Sequence, residues 1–97
     1  MEMKNKIITD KKDFALCTTN SSLEEINDKL TLLCIDHGLT LTKIDDMKYI
    51  CKKDSNNSIN IEVSVMGKSN ALKLYHLNGD EIITKEIIKN IILTLAF

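Results

Sequence analysis

The sequence predicts an α+β domain in which two helices cover one face of an antiparallel sheet of four to five strands. Three observations favour this class. Two segments repeat their apolar residues at helical spacing, and the later one, from Ile83 to Leu95, has an almost purely apolar stripe. Four segments alternate apolar and polar residues, which is typical of half-buried strands. Short polar links join those four strands, so successive strands are expected to pair as an antiparallel meander.

The composition is that of one small intracellular domain. The 97 residues include 43% hydrophobic and 28% charged residues, with a net charge of −1. All 13 basic residues are lysines. Because arginine is the usual bidentate reader of guanine and phosphate, sequence-specific nucleic-acid binding is disfavoured. Three cysteines without an apolar leader segment indicate free thiols in a reducing cytoplasm.

The chain divides into a short leading segment and one domain. Residues 1–13 are predicted to be a flexible lead-in or the end of a linker, because four lysines accompany few residues that could be buried. Residues 14–97 form the predicted domain. It begins with a strand over residues 14–18, in which Phe14, Leu16 and Thr18 share one face.

The first helix is predicted over residues 22–37. Ser21 or Ser22, followed three residues later by Glu24 or Glu25, is a capping box that marks its start. Gly38 supplies the left-handed residue that ends it.

The meander follows, with strands predicted over residues 39–44, 47–53 and 59–66 and after Asn70. In the third of these, the alternation assigns Ile59, Ile61, Val63 and Val65 to the core face. In the fourth, Leu72 and Leu74 point one way, and Lys73 and Tyr75 the other. Asn78-Gly79 is a turn signal before the last helix. Thr84 is predicted to cap that helix, whose apolar stripe comprises Ile83, Ile87, Ile88, Ile91, Ile92 and Leu95.

The one candidate binding surface is basic. Lys48, Lys52 and Lys73, with Lys53 and His76 nearby, could form a positive surface on the open side of the sheet that binds anionic lipid or a partner. Ordinary solvated lysines that keep strand edges soluble are the alternative. Asp45, Asp46 and Asp54 lie close in sequence and would weaken such a patch.

No catalytic residues, metal site or cofactor are expected. Cys34 and His37 have a Cys-x-x-His spacing that can suit zinc, but a structural zinc needs four ligands and no second pair lies nearby. A core thiol and a histidine at a helix C-terminus are the favoured interpretation. Gly67-Lys68-Ser69 resembles the end of a phosphate-binding loop but lacks the upstream glycine.

The order of the elements, together with several short motifs, resembles the kinase-associated-1 domain. This domain ends many serine/threonine kinases of the AMP-activated and microtubule-affinity-regulating group. The resemblance extends from Phe14 to Phe97. The matching segments are residues 14–19, 22–38, 47–51 and 61–65, and the run from Leu72 to Asp80, which resembles valine-arginine-phenylalanine-lysine-arginine-isoleucine-serine-glycine-aspartate.

The resemblance implies a non-catalytic C-terminal regulatory module of a serine/threonine kinase. Such a module would inhibit the kinase domain of the same chain, dock to anionic phospholipid, or do both. A scaffold that binds partner subunits of an AMP-activated-type kinase is the alternative. The parent chain would bind ATP, and the protein would be cytoplasmic or peripheral at the plasma membrane. Two departures are visible: Asn27, Asp28 and Thr31 stand on the helix surface where lipid-binding members carry arginines, and Tyr75 and His76 stand where the family has lysine and arginine.

Overall fold

The protein is an antiparallel sheet with two helices on one face, as predicted. The structure, a computed structural model, describes residues 7–8 and 14–95. In chain order the elements are β1 (Ile7–Ile8), β2 (Phe14–Thr19), α1 (Leu23–His37), β3 (Thr40–Asp45), β4 (Lys48–Asp54), β5 (Asn57–Met66), β6 (Ser69–Asn78) and α2 (Glu81–Leu95). From β2 onward this is the expected order β-α-β-β-β-β-α. The predicted lead-in lies outside the described residues except for Ile7–Ile8, which pair with β2.

The sheet has the strand order β1-β2-β6-β5-β4-β3, with every neighbouring pair antiparallel. Strands β3 to β6 form the predicted meander. Strand β2 pairs with β6 rather than with β3, the next strand along the chain. Helix α1 therefore carries the chain across the sheet, from β2 near one edge to β3 at the other.

The core lies between the sheet and the two helices. The predicted core positions of Val63, Ile87 and Ile91 are confirmed, and Leu30 of α1 is buried with them. Exposed fractions lie between 0% and 7% across the whole apolar core. The core comprises Ala15, Cys17, Ile26, Leu30, Leu33, Cys34, Tyr49, Cys51, Ile59, Ile61, Val63, Leu72, Leu74, Ile87, Ile88, Ile91 and Leu95. Each strand from β4 to β6 contributes every second residue, so one face of the sheet is apolar and covered.

Both predicted ends of α1 are confirmed. The Ser22 hydroxyl accepts a hydrogen bond from the Glu25 backbone N–H at 3.1 Å, and the Glu25 carboxylate accepts one from the Ser22 N–H at 2.8 Å. At the other end Gly38 has φ 68°, in the left-handed region. The Leu39 N–H then donates to the Cys34 carbonyl at 2.7 Å, which satisfies a carbonyl of the last turn.

The predicted cap of α2 is wrong. The helix begins at Glu81, and the Asp80 carboxylate, not the Thr84 hydroxyl, accepts from the Ile82 N–H at 2.8 Å. Thr84 lies inside the first turn, is buried, and hydrogen-bonds the Asp80 carbonyl at 3.2 Å. Aspartate directly after the Asn78-Gly79 turn is the stronger cap, so the helix starts a turn earlier than predicted.

The predicted burial of one strand residue, Val65, is also wrong. Val65 was expected to be buried with Ile59, Ile61 and Val63, but its side chain is 63% exposed. It pairs with Asn70 near the tip of the β5–β6 hairpin, beyond the last core residue of its strand. Alternation continues there, but burial does not.

Candidate functional site: the open face of the sheet

The face of the sheet opposite the helices is the candidate site, and it is called the open face below. Its side chains alternate with those of the core along every long strand. From β2 to β4 its members are Leu16, Thr18, Ala71, Lys73, Tyr75, Asn60, Glu62, Ser64, Lys48, Ile50 and Lys52. All are half-buried or exposed. The face therefore presents a mixed surface of charges, amides and a few apolar side chains.

A row of alternating charge crosses this face. The strand register places Lys73 of β6 directly opposite Glu62 of β5, Glu62 opposite Lys48 of β4, and Lys48 opposite Asp45 of β3. Directly opposed residues share a face and lie close enough to interact. Each of the two lysines therefore has at least one carboxylate beside it. The row carries two positive and two negative charges.

Glu62 is the centre of the polar contacts on the open face. Its Oε2 accepts a hydrogen bond from the Tyr75 hydroxyl at 2.7 Å and one from the Asn60 amide at 3.4 Å. The bond to the Glu62 carboxylate is the main reason that the pKa of Tyr75 is raised. The Lys73 Nζ lies 5.8 Å from the centroid of the Tyr75 ring, within cation–π range. Tyr75 thus connects Lys73 and Glu62 into one cluster.

The structure divides the five predicted basic residues between the two faces. Lys48, Lys52 and Lys73 lie on the open face, as expected. His76 does not, because it pairs with Ile59 of the core face and its Nδ1 lies 2.9 Å from the Thr84 hydroxyl of α2. A single continuous patch of five basic side chains is therefore not formed.

Lys53 also lies away from the open face. It borders a cleft of about 280 Å³ on the helix side, together with residues of α2 and of the α1–β3 connection. The lining residues are His37, Leu39, Lys53, Ile82, Ile83, Glu86, Ile87 and Asn90. Lys52 still pairs with Ser58 of β5, but a register shift between Lys52 and Asp54 interrupts the β4–β5 pairing at Lys53.

A second cleft, of about 380 Å³, adjoins the charged row at the β3–β4 turn. It is lined by Asp45, Asp46, Met47, Lys48, Glu62, Val63 and Ser64. The turn is held by the Asp45 carboxylate, which accepts from the Met47 N–H at 2.7 Å, and Asp46 lies 3.4 Å from the Lys43 Nζ. The turn thus holds Asp45 beside Lys48, while the exposed Asp46 lies against Lys43.

The cysteines belong to the core. The Cys34 Sγ lies 3.5 Å from the Cys51 Sγ, and both thiols are buried. The hydrogen bond to Cys34 and burial both raise the pKa of the Cys51 thiol. The burial of Cys34 confirms its interpretation as a core thiol. His37 is exposed at the end of α1. Within residues 14–95 no three His, Cys, Asp or Glu side chains form a group suited to a metal ion.

Sequence reasoning missed the two residues that organise the open face, Glu62 and Tyr75. The outward direction of both was readable from alternation. The contact between them could not be predicted, because it depends on the register between β5 and β6. The position of His76 was readable: it directly follows Tyr75 in a strand, so it must point the opposite way.

Comparisons with known proteins add no identification: no family model matches the sequence, and no curated protein matches it either. Within the described part of the chain, no helix has the length and apolar content that crossing a bilayer requires.

Proposed function

We propose that this chain is a non-catalytic regulatory module of a serine/threonine protein kinase, and that it docks to protein through the open face. The observation that carries the proposal is the one-sided architecture, in which both helices cover one face of a sheet built in the order β-α-β-β-β-β-α. That order is the one expected from the resemblance to kinase-associated-1 domains. The uncovered face is the surface available for docking.

The charges of the open face favour a protein partner over a membrane. Each lysine near an anionic membrane contributes about 1 kcal/mol of attraction. Here Glu62 lies between Lys73 and Lys48, and Asp45 lies beyond Lys48, so the row as a whole is neutral. A surface of alternating charge instead matches a partner that carries both signs, because such patterns give specificity and correct register.

The proposed partner is the kinase domain of the same chain, which docking would inhibit. Partner subunits of an AMP-activated-type kinase are the alternative protein partners. In both cases Tyr75, half-buried between Lys73 and Glu62, supplies the aromatic contact that protein interfaces favour.

An anionic membrane is the second candidate. The observation in its favour is the exposure of Lys52 and Lys53 at the end of β4, where the neutral row does not reach. Lys52 lies opposite Thr40 and Ser58, so no carboxylate is directly paired with it. Attraction through these two lysines alone would be weak and salt-sensitive.

The test begins with the gene. The reading frame that contains this sequence is determined, and the kinase catalytic domain expected upstream is expressed separately. The described domain is then added in trans, and phosphorylation of a peptide substrate is measured. We expect inhibition that Lys73→Glu and Glu62→Lys each weaken about tenfold, since each reverses one charge of the row. Lys68→Glu, in the exposed β5–β6 turn, is the matched control and should leave inhibition unchanged.

Two outcomes would contradict the proposal. The first is a frame with no kinase catalytic domain. The second is inhibition that ignores Lys73 and Glu62. Sedimentation with phosphatidylserine-rich vesicles at low and high salt tests the second candidate: binding that Lys52→Ser and Lys53→Ser abolish and Lys73→Ser does not would assign the function to a membrane.

A further inference from the structure

Two of the three cysteines lie against each other in the core, although they come from different layers of the molecule. Cys34 is in the last turn of α1, and Cys51 is in the middle of β4. Their Sγ atoms are 3.5 Å apart, and the two residues are 3% and 0% exposed. A disulfide bond has an S–S distance of about 2.05 Å, so the sulfurs need to approach by about 1.5 Å. A side-chain rotation combined with a helix shift of about 1–2 Å, as packed helices make in conformational transitions, covers that distance.

The contact between the two sulfurs gives them different chemical roles. The hydrogen bond from the Cys51 thiol stabilises negative charge on the Cys34 sulfur, and it lowers the pKa of Cys34 although burial acts the other way. The same bond and burial raise the pKa of Cys51. Because the thiolate is the nucleophile in cysteine chemistry, Cys34 is the expected attacking sulfur. Cys51 is then the thiol that reacts with its oxidised product.

Cys17 differs from this pair in both position and reactivity. It lies in β2 and is buried, and burial raises the pKa of its thiol to about 11. Strands β6 and β5 lie between β2 and β4. At a strand spacing of about 4.8 Å, Cys17 is about 14 Å from Cys51, which is beyond the span of a disulfide. Cys17 is therefore an internal control for the reaction of the other two thiols.

The chain between Cys34 and Cys51 contains the edge strand β3. Among the described strands, β3 ends the sheet and pairs with β4 alone. All of its residues are exposed except Leu41, which is half-buried. A strand with one neighbour and so little buried surface is expected to open before the centre of the sheet. A covalent bond between α1 and β4 would close a loop that contains this whole strand.

We propose that Cys34 and Cys51 form a reversible disulfide when the protein meets a peroxide, and that this bond fastens the edge of the sheet to the helix layer. The Cys34 sulfur attacks one oxygen of hydrogen peroxide and the O–O bond breaks, which gives a sulfenic acid. The other oxygen leaves as water, with the proton of the Cys34 thiol. The Cys51 sulfur then attacks the Cys34 sulfur, the S–O bond breaks, and the hydroxyl group leaves as a second water with the Cys51 proton. Two thiols are thus oxidised to one disulfide while one peroxide is reduced to two waters, and a thiol reductant reverses the change.

Burial sets the conditions under which the reaction occurs. Since both thiols are closed off in the folded chain, peroxide reaches Cys34 when the last turn of α1 opens. Opening breaks the hydrogen bonds that the Gly38 and Leu39 N–H groups donate to the carbonyls of Ile35 and Cys34, at 3.4 and 2.7 Å. The reaction is therefore expected to be slower than that of an exposed thiolate and to respond to sustained exposure. It does not depend on what the open face docks to.

Mass spectrometry of the unmodified, folded chain after treatment with hydrogen peroxide tests the bond. We expect the chain to lose the mass of two hydrogen atoms and to regain it with dithiothreitol. Cleavage after lysine separates all three cysteines, so peptide mapping without reduction should join the Cys34 peptide to the Cys51 peptide and leave Cys17 as a thiol. Cys17→Ala is the matched control and should leave bond formation unchanged. In Cys51→Ala, the sulfenic acid of Cys34 should accumulate and react with dimedone.

The effect on the edge strand has its own test, trypsin cleavage of the oxidised and reduced chains. Cleavage at Lys43, inside β3, should be about tenfold slower in the oxidised chain, because local opening of the strand is restricted. Lys68, in the exposed β5–β6 turn outside the closed loop, is the matched control, and cleavage there should be unchanged. Urea unfolding should also show the ratio of folded to unfolded chain raised roughly a hundredfold by oxidation, as closing a loop of this length predicts.

Three outcomes would overturn the proposal. The first is a folded chain that keeps all its thiols in peroxide. The second is a chain in which peroxide joins Cys17 to another cysteine or carries Cys34 on to the sulfinic acid without a disulfide. The third is a Cys34–Cys51 disulfide that leaves cleavage at Lys43 unchanged, because the bond would then not fasten the edge of the sheet.

Discussion

The side chains on the helix face of the sheet are fixed by apolar contact, whereas those on the open face are fixed by charge and hydrogen bonds. Ile59 and Ile61 of β5 are completely buried, while Asn60 and Glu62, between and beside them, face out. Stability therefore resides mainly on one side of the same strand, and the proposed docking surface is on the other. Substitutions should divide accordingly: those on the helix face change unfolding, and those on the open face change binding.

The largest expected effect is on the helix face. Ile91 of α2 has no exposed area, so Ile91→Ala should lower the free energy of unfolding by about 2–5 kcal/mol, through lost burial and a cavity. Ile82 of the same helix is 79% exposed, and Ile82→Ala should cost less than about 0.5 kcal/mol. Urea unfolding of both variants measures the contrast. Equal losses would mean that the helix packs through a different stripe.

The next prediction concerns His76, which sequence proximity grouped with Lys52. The structure places them on opposite faces, with His76 bonded to the buried Thr84. His76→Ala should therefore cost about 1–2 kcal/mol, because it leaves a buried hydroxyl with one partner fewer. Lys52→Ala should change stability by less than about 0.5 kcal/mol. The two variants are compared by urea unfolding under identical conditions. If His76→Ala leaves the free energy of unfolding unchanged, the contact with Thr84 does not contribute to stability, and His76 belongs with the exposed basic residues.

Local sequence patterns predicted the elements of this fold, the meander and the packing of both helices on one face, but not which side chains meet across the open face. The capping box at Ser22 and Glu25, the left-handed Gly38 and the isoleucine stripe of α2 each depend on residues within about one or two helical turns. Such short-range signals are present in the sequence itself.

The charged row could not be predicted in this way. Lys48, Glu62 and Lys73 are far apart in sequence and become neighbours through the register of two hairpins. The β4–β5 register is modified by a shift between Lys52 and Asp54, next to the turn, whereas the β5–β6 ladder is regular from Met66–Ser69 to Glu62–Lys73. Turn geometry and bulges set such registers, and residue type alone does not specify them. The candidate site was therefore predicted by face and composition, while its near-neutral charge pattern emerged only from the pairing of strands.

On the open face, the Tyr75–Glu62 contact predicts a smaller, pH-dependent effect. The pKa of Tyr75 is raised by its hydrogen bond to Glu62. A tyrosine with a raised folded-state pKa contributes stability that is fully present below its unfolded pKa of about 10 and is lost as the pH rises through the folded value. Glu62→Gln should therefore lower the pKa of Tyr75 and remove part of the loss of folding stability at alkaline pH.

Nuclear magnetic resonance titration of the two tyrosine rings measures this change. Tyr49 is the internal control, because its pKa is raised mainly by burial rather than by Glu62. Its titration should be unchanged in Glu62→Gln. A Tyr75 pKa that stays high in the variant would show that burial, not the carboxylate, sets it, and the proposed centre of the open face would lose its main contact.

The smallest effect is expected at the start of α1, which belongs to neither face. The Ser22 N–H bond to the exposed Glu25 carboxylate lowers the pKa of Glu25 below its ordinary value of 4.5. A carboxyl group with a lowered folded-state pKa contributes stability above its unfolded pKa and loses it as the pH falls through the folded value. Glu25→Gln should therefore be slightly less stable than the unmodified chain at neutral pH, and the difference should shrink below about pH 4.

Urea midpoints of both proteins at neutral and acid pH test this, with Glu24→Gln as the control because Glu24 takes no part in the capping box. A difference that does not vary with pH would mean that the capping contact contributes through its geometry alone and not through the charge of Glu25.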